Sequence, residues 1–308
     1  MFRNNCSEFG QSGFASGAGR ACLAGGARCR QESALQQARS PAGRDTVAVM
    51  AREVTAKMNL FSMLNKRAED GEPIRIGMIG AGKFGTMFLS QVRRLAGIHL
   101  IGVADLSPAN ARSNMEFVGW EPERFAASSL DQAAKEGGTH VGDDWQALVA
   151  HPAIDIVIEC TGAPVAAIDH ILGAFDHGKH VINVTVEADA FCGYALARKA
   201  QQAGVIYSMA YGDQPALTCD LVDWARTCGF NVTAAGRGHK WLPEFRKSTP
   251  ETVWDHWGVS REKAERGRLN PKMFNSFLDG SKPAIESSAI ANATGLMVPT
   301  HGLQFPVG

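Results

Sequence analysis

The chain has 308 residues, 45% of them hydrophobic and 20% charged, which is core material for about two domains of roughly 100–200 residues. Basic and acidic side chains both total 31, so no net field recruits nucleic acid or an anionic membrane surface. No stretch approaches the roughly 20 apolar residues needed to cross a bilayer. The seven cysteines form no C-x-x-C pair, which suits a reducing, cytoplasmic setting.

Residues 1–57 are rich in Gly, Ala, Ser and Arg and carry Cys6, Cys22 and Cys29 without a sustained apolar period. They read as a disordered extension ahead of a start at Met58. Their arginine and serine content also fits an organelle transit peptide, but a secretory signal lacks its apolar core. A helix is expected from Leu60 toward Ala68, then a turn at Glu69-Asp70-Gly71.

The next stretch is the most informative. Ile74, Ile76, Met78 and Ile79 form a short apolar run, as in a strand buried on both faces of a parallel sheet. Gly80-Ala81-Gly82-Lys83-Phe84-Gly85 follows with G-x-G-x-x-G spacing, and a helical pattern runs from Phe84 to Leu95. Leu100 to Ala104 is a second apolar run, closed by Asp105. The three glycines serve different ends. Gly80 permits the tight turn, Gly82 the close approach of a diphosphate, and Gly85 the packing of helix on strand. Asp105 can accept from a ribose 2′-OH, and such a carboxylate favours NAD over NADP. These features predict a dinucleotide site. The weaker alternative is a doubly wound sheet whose glycines only pack or hold another nucleotide.

Farther on, Ser107-Pro108 reads as a helix start, Gly137 to Val141 as a loop into a short strand, and Trp145 to Ala150 as a brief helix. Ile154 to Glu159 is the next strand, ending at Cys160-Thr161-Gly162, a small-residue turn placed where the cofactor would lie. Cys160 reads as a packed side chain, not a nucleophile, because no histidine is paired with it. A helix from Val165 to Asp176, a strand from Lys179 to Val186 ending in Glu187-Ala188-Asp189, a helix from Tyr194 to Ala203 and a strand from Val205 to Ala210 complete the alternation. The fold class expected is α/β, a Rossmann-type doubly wound parallel sheet over residues 58–212. Residues 213–308 are expected to form a second, smaller α+β domain for substrate and dimer contacts.

In that second part, Ala216 to Thr227 reads as a helix, Phe230 to Ala235 as a strand, and Pro243 to Asn270 as a long polar stretch with Trp254 and Trp257. Phe274 to Leu278 is apolar, Asp279-Gly280 is a turn, and Pro283 to Thr294 is a helix. Hydride chemistry needs a side chain that moves a proton, so the catalytic candidates are Lys240, Lys282, Asp279, Glu286 and Glu187. A helix from Pro283 would put Glu286 one turn above Lys282, facing one ligand; the same i, i+4 spacing also makes a plain surface pair. Glu187 can equally cap a helix, and Asp213 an Asx-turn. His239 reads as an ordinary loop histidine. The cofactor candidates are Gly80, Ala81, Gly82, Lys83, Phe84, Gly85, Asp105, Cys160, Thr161 and Gly162. No spacing argues for a tightly held metal; a loosely bound divalent ion stays compatible with the sequence.

From Leu60 to Pro299 the chain resembles the homoserine dehydrogenase-like oxidoreductases that usually carry a C-terminal SAF domain. The stretches that carry the resemblance are RIGMIGAGKFGTMF, DIVIECTG, GKHVINVTVEADA, YGDQPAL, DWARTCGF, AAGRGHKWLP, NPKMFNSFLDGSK and AIANATGL. The resemblance implies an NAD(P)H-dependent, dimeric enzyme in which Lys240, Asp279, Lys282 and Glu286 line the active site. It also implies that the chain is short at its C-terminus. One branch looks like a 1-deoxy-D-xylulose-5-phosphate reductoisomerase of the unconventional type, which uses NADPH, and Arg112 lies within local reach of a 2′-phosphate. A non-catalytic NAD(P)-binding regulatory protein is the alternative outside enzymes.

Overall fold

A computed structural model describes residues 59–238 and 242–302. Leu60–Glu69 is a helix (α1). The described residues from Leu64 onward form one compact unit. Its centre is a parallel six-stranded sheet of β1 (Ile74–Ile79), β2 (Ile98–Ala104), β3 (His140–Gly142), β4 (Ile156–Glu159), β5 (His180–Asn183) and β6 (Tyr207–Met209). The spatial order is β3-β2-β1-β4-β5-β6, so the chain winds outward one way from β1 and then restarts on its other side at β4. That reversal opens a crevice beyond the carboxyl ends of β1 and β4, the usual ligand position in such sheets.

Helices cover both faces, which explains why the strands read as continuous apolar runs. On one face α2 (Lys83–Val92) and α3 (Pro108–Phe117) pack Leu89, Val92, Ala111 and Met115 over Ile76, Met78, Leu100 and Val103. On the other, α5 (Trp145–Ala150), α6 (Pro164–Asp176) and α7 (Val186–Ala203) pack Leu148, Ile171, Phe175 and Leu196 over Ile101, Val157 and Val181. The short helix α4 (Leu130–Glu136) leads into β3. Among the described residues no helix is long and apolar enough to cross a membrane.

Several boundaries differ from the sequence pattern. The strand expected over Lys179 to Val186 stops at Asn183, and Val186 already opens α7, so Glu187 and Asp189 lie in a first helical turn and not at a strand end. The apolar alternation of Val184 and Val186 continues a strand pattern, but Asn183 side-chain bonds to Thr185 turn the backbone away. The strand expected over Phe230 to Ala235 does not form, and Phe230 is 63% exposed. A strand needs a neighbour to hydrogen-bond with, and the sheet ends at β6 without reaching this segment.

The described part of the chain beyond Tyr211 is therefore helical where α+β was expected. It contains α8 (Gln214–Thr227), α9 (Val253–Trp257), α10 (Arg261–Arg266), α11 (Pro271–Leu278) and α12 (Ser281–Thr294). The polar stretch from Pro243 to Asn270 encloses a small core of Phe245, Val253, Trp254, Ala264 and Leu278, with Phe274 packed against it. α12 lies along α7 and α8, which ties this part to the sheet.

Candidate active site at the carboxyl edge of the sheet

The three glycines of the first turn do different things. Gly80 has φ +93°, and a Cβ there would lie 2.9 Å from the Cys160 backbone. A Cβ on Gly85 would lie 2.6 Å from the Gly80 carbonyl oxygen. Those two glycines let β1, α2 and the β4 turn close on one another. A Cβ on Gly82 would meet nothing within 4 Å, so its surface faces open space. No side chain caps the N-terminus of α2, which leaves its first amides facing the same opening.

Asp105 closes the turn from the β2 side. Its Oδ2 accepts from the Ala81 N–H at 2.7 Å and its Oδ1 from the Ser107 N–H at 2.8 Å. Arg112 donates to the carbonyls of Phe125 and Val141 at 3.0 and 2.9 Å. Lys83 Nζ donates to the Gly267 carbonyl at 3.0 Å. The Cys160 thiol donates to the Gly80 carbonyl at 2.8 Å, and burial, with Glu159 and Asp105 nearby, pushes its pKa up. It fastens the two turns together, in keeping with a packed cysteine.

Glu159 reads in the sequence only as the end of a strand, yet it organises the turn beside the crevice. It is fully buried and accepts from Thr161 Oγ1 at 2.6 Å and from Thr185 Oγ1. His170 Nδ1 lies 3.2 Å from its Oε1. The Gly162 N–H donates to Thr185 Oγ1 at 3.0 Å, so the Cys160–Gly162 turn is held against β5 by the same network. The signal is an acid inside an otherwise apolar strand, since a buried carboxylate must find donors.

Farther along the edge, charged groups converge from four segments. Lys282 Nζ lies 3.4 Å from Glu187 Oε1, joining α12 to the first turn of α7. Glu286 is fully buried and ion-paired to Arg237 Nε at 2.6 Å. Burial raises the Glu286 pKa; Arg237 and Lys282 act against that rise, and Asp213 and Glu187 add to it. Glu187, Lys282 and Glu286 are thus brought together, with Asp213 and Arg237 beside them. Asp279 stands apart, accepting from Ser281 and Asn275 in the turn before α12. Lys240 and His239 lie outside the described residues. Arg237 is not among the sequence candidates; its only hint is a lone arginine between Gly236 and Gly238.

Behind this cluster Asp189 is 4% exposed and accepts from Tyr207 Oη at 2.6 Å and Asn183 Nδ2 at 2.8 Å. Burial pushes its pKa to about 6, although both donors act in the opposite direction. A carboxyl whose folded pKa is raised stabilises most below its unfolded value, and that contribution is lost as pH rises through the folded one. From 3.8 to about 6 the loss amounts to roughly 3 kcal/mol. Relative to Asp189→Asn, wild type is therefore expected to lose about 2–3 kcal/mol of stability between pH 4 and pH 7. Urea denaturation of both proteins across that range checks this; parallel stability curves would show that Asp189 does not titrate there.

A six-stranded doubly wound parallel sheet, a glycine turn with one open glycine and an uncapped helix start together define a Rossmann-type nucleotide-binding protein. Residues 80–209 match the family described as "Homoserine dehydrogenase, NAD binding domain", and residues 212–308 match "Oxidoreductase DRL, catalytic domain". The two matches lie side by side along the chain, and each takes in less than half of it. It is 26% identical over 134 residues to 4-carboxy-2-hydroxymuconate-6-semialdehyde dehydrogenase of Sphingobium sp., covering 43% of this chain and 36% of that protein. It is also 26% identical over 135 residues to homoserine dehydrogenase of Pseudomonas aeruginosa, covering 44% of this chain and 28% of that one. The chain therefore spans about a third of the length of these curated relatives. Among solved structures, homoserine dehydrogenase from Thiobacillus denitrificans is similar over 74% of this chain and 50% of that one, at 18% identity and a TM-score of 0.48.

Proposed function

We propose that the protein is an NAD(P)-dependent oxidoreductase moving hydride to or from a small polar carbonyl or hydroxyl substrate, phosphorylated or not. The observation that carries this reading is the placement of Lys282 against Glu187, with the buried Glu286–Arg237 pair beside it, at the same sheet edge as the open glycine turn. The amides of Gly82, Lys83 and Phe84 would hold the diphosphate, since nothing covers Gly82 and no side chain caps α2. The nicotinamide, when bound, supplies or accepts the hydride.

The protein's own residues supply the rest. Lys282 polarises the substrate oxygen and carries its proton. Glu187 aims that amine, while the Glu286–Arg237 pair fixes the floor beneath it. The small-residue turn Cys160–Gly162, tied down through Glu159 and Thr185, forms a rigid wall beside the nicotinamide end.

Proton transfer by a positioned side chain typically contributes about 10²–10⁴-fold. Lys282→Ala is accordingly expected to lower kcat by about a hundredfold or more while nucleotide affinity stays near wild type. Stopped-flow reduction of a panel of small aldehydes and keto sugars gives both numbers. A wild-type kcat in Lys282→Ala would remove the assignment.

A further inference from the structure

Chain that arrives from the far end of the sequence touches the first residue of α2 and one side of α3. α10 ends at Arg266, and the next two residues lie against the nucleotide-binding half. The Gly267 carbonyl receives Lys83 Nζ, and Lys83 is the first residue of α2. The Arg268 guanidinium donates to Asn114 Oδ1 at 3.0 Å and stacks 4.4 Å from the Phe117 ring centroid. Asn114 in turn donates to the Ala81 carbonyl at 2.9 Å. One amide side chain therefore separates the guanidinium from the Ala81 carbonyl of the glycine turn, and the N–H of the same residue is held by Asp105.

Among the described residues no carboxylate is ion-paired with Arg268, and its side chain is exposed. It is also the one non-glycine residue among those described with a positive φ, at 47°. Residues with a β-carbon avoid that region, so the neighbouring packing of Gly267 and Leu269 must hold the backbone there. A guanidinium has five N–H groups, and this one bonds to a neutral amide and an aromatic face and to no anion. The other nearby arginine, Arg112, is committed to two backbone carbonyls.

We propose that Arg268 binds the 2′-phosphate of an adenosine 2′-phosphate dinucleotide, so that the protein takes NADP(H) in preference to NAD(H). The inference rests on the dinucleotide reading above and runs against the preference that Asp105 alone would set. A dinucleotide with its diphosphate on Gly82 places its adenosine ribose beside Asp105 and α3, the side on which Arg268 sits. A 2′-phosphate there adds about 1.5 to 2 negative charges, as phosphate monoesters do near neutral pH. Asp105 has turned both oxygens onto backbone N–H groups, and the guanidinium offers the bidentate donor pair that a phosphate accepts. Stacking on Phe117 holds that plane in place before the ligand arrives, which reduces the ordering cost of binding.

Calorimetric titration of the full chain with NADP+, NAD+ and 2′,5′-ADP tests this, for wild type, Arg268→Ala and Arg268→Gly. The glycine variant removes the guanidinium while relieving the positive φ, so a folding defect cannot account for its behaviour. Wild type should bind NADP+ more tightly than NAD+. Both variants should lose about tenfold or more for NADP+ and 2′,5′-ADP, with NAD+ changed by less than about twofold. Equal losses for NADP+ and NAD+ would assign the guanidinium to the diphosphate and overturn the proposal, as would no loss or a wild type that prefers NAD+. If wild type binds none of the three ligands, the dinucleotide reading itself fails, which the comparison with NAD+ keeps distinct.

Discussion

Gly82→Val is expected to leave the protein folded and unable to hold either nicotinamide nucleotide. The reasoning turns on what each glycine touches in the free protein. At Gly80 a β-carbon would collide with the Cys160 backbone at 2.9 Å, and φ +93° already disfavours any side chain. A loss of binding in Gly80→Ala would therefore say nothing about a ligand. At Gly82 the space is empty to 4 Å and φ is −68°, which any residue adopts. The valine side chain then occupies only volume that a diphosphate would need.

Gly82→Val should cost less than about 1 kcal/mol of stability, the difference between these residues at a helix N-cap. Affinity for NAD+ and NADP+ should fall about a thousandfold or more, equivalent to roughly 4 kcal/mol. Thermal melting with and without nucleotide reads both quantities together. A variant that still shows the wild-type ligand-induced rise in Tm would mean that the diphosphate lies elsewhere.

The second large effect is expected at the buried ion pair. Among the described residues, Arg237→Leu leaves the fully buried Glu286 carboxylate with only Lys282 to act against its burial. Breaking such a pair typically costs about 3–5 kcal/mol, because an uncompensated charge remains in the interior. Glu286 already has a raised pKa, and removal of Arg237 raises it further. The sign follows: a carboxyl with a raised folded pKa stabilises at low pH and loses that contribution as pH rises. The penalty of Arg237→Leu should accordingly be largest at neutral pH and shrink on acidification. Combining it with Glu286→Leu should recover most of the loss, since two apolar side chains of similar bulk can replace a buried pair. Urea denaturation of the two single variants and the double variant closes that cycle. An additive double variant would show that the two side chains are not energetically coupled.

Much of the nucleotide-binding half is legible in the sequence because its signals are local. Strand periodicity, the glycine spacing, the helix and the acid at Asp105 all fall within a few dozen residues, and β1, α2 and β2 lie close to where that pattern puts them. The buried role of Cys160 is legible too, because a small thiol after an apolar strand has little else to do. Glu159 is not, since its donors come from three separate segments, at Thr161, His170 and Thr185. The second half is harder still. Phe230 to Ala235 has a strand's alternation but no strand beside it, and Pro243 to Asn270 looks like loop until Trp254 and Phe274 are seen to close a small core.

What the amino-acid order settled by itself is the sequence of strand, glycine turn, helix, strand and acid, because side-chain period and backbone permissiveness act between near neighbours. What only the tertiary structure decided is which charges meet. Lys282 is spaced to pair with Glu286 one helical turn away, yet its ammonium lies against Glu187, 95 residues distant, while Glu286 takes Arg237. Arg268 reaches Asn114 across 154 residues. Helical spacing fixes proximity along one element, but the partner of a charge is chosen by which surfaces are buried against each other, and burial is a property of the whole fold.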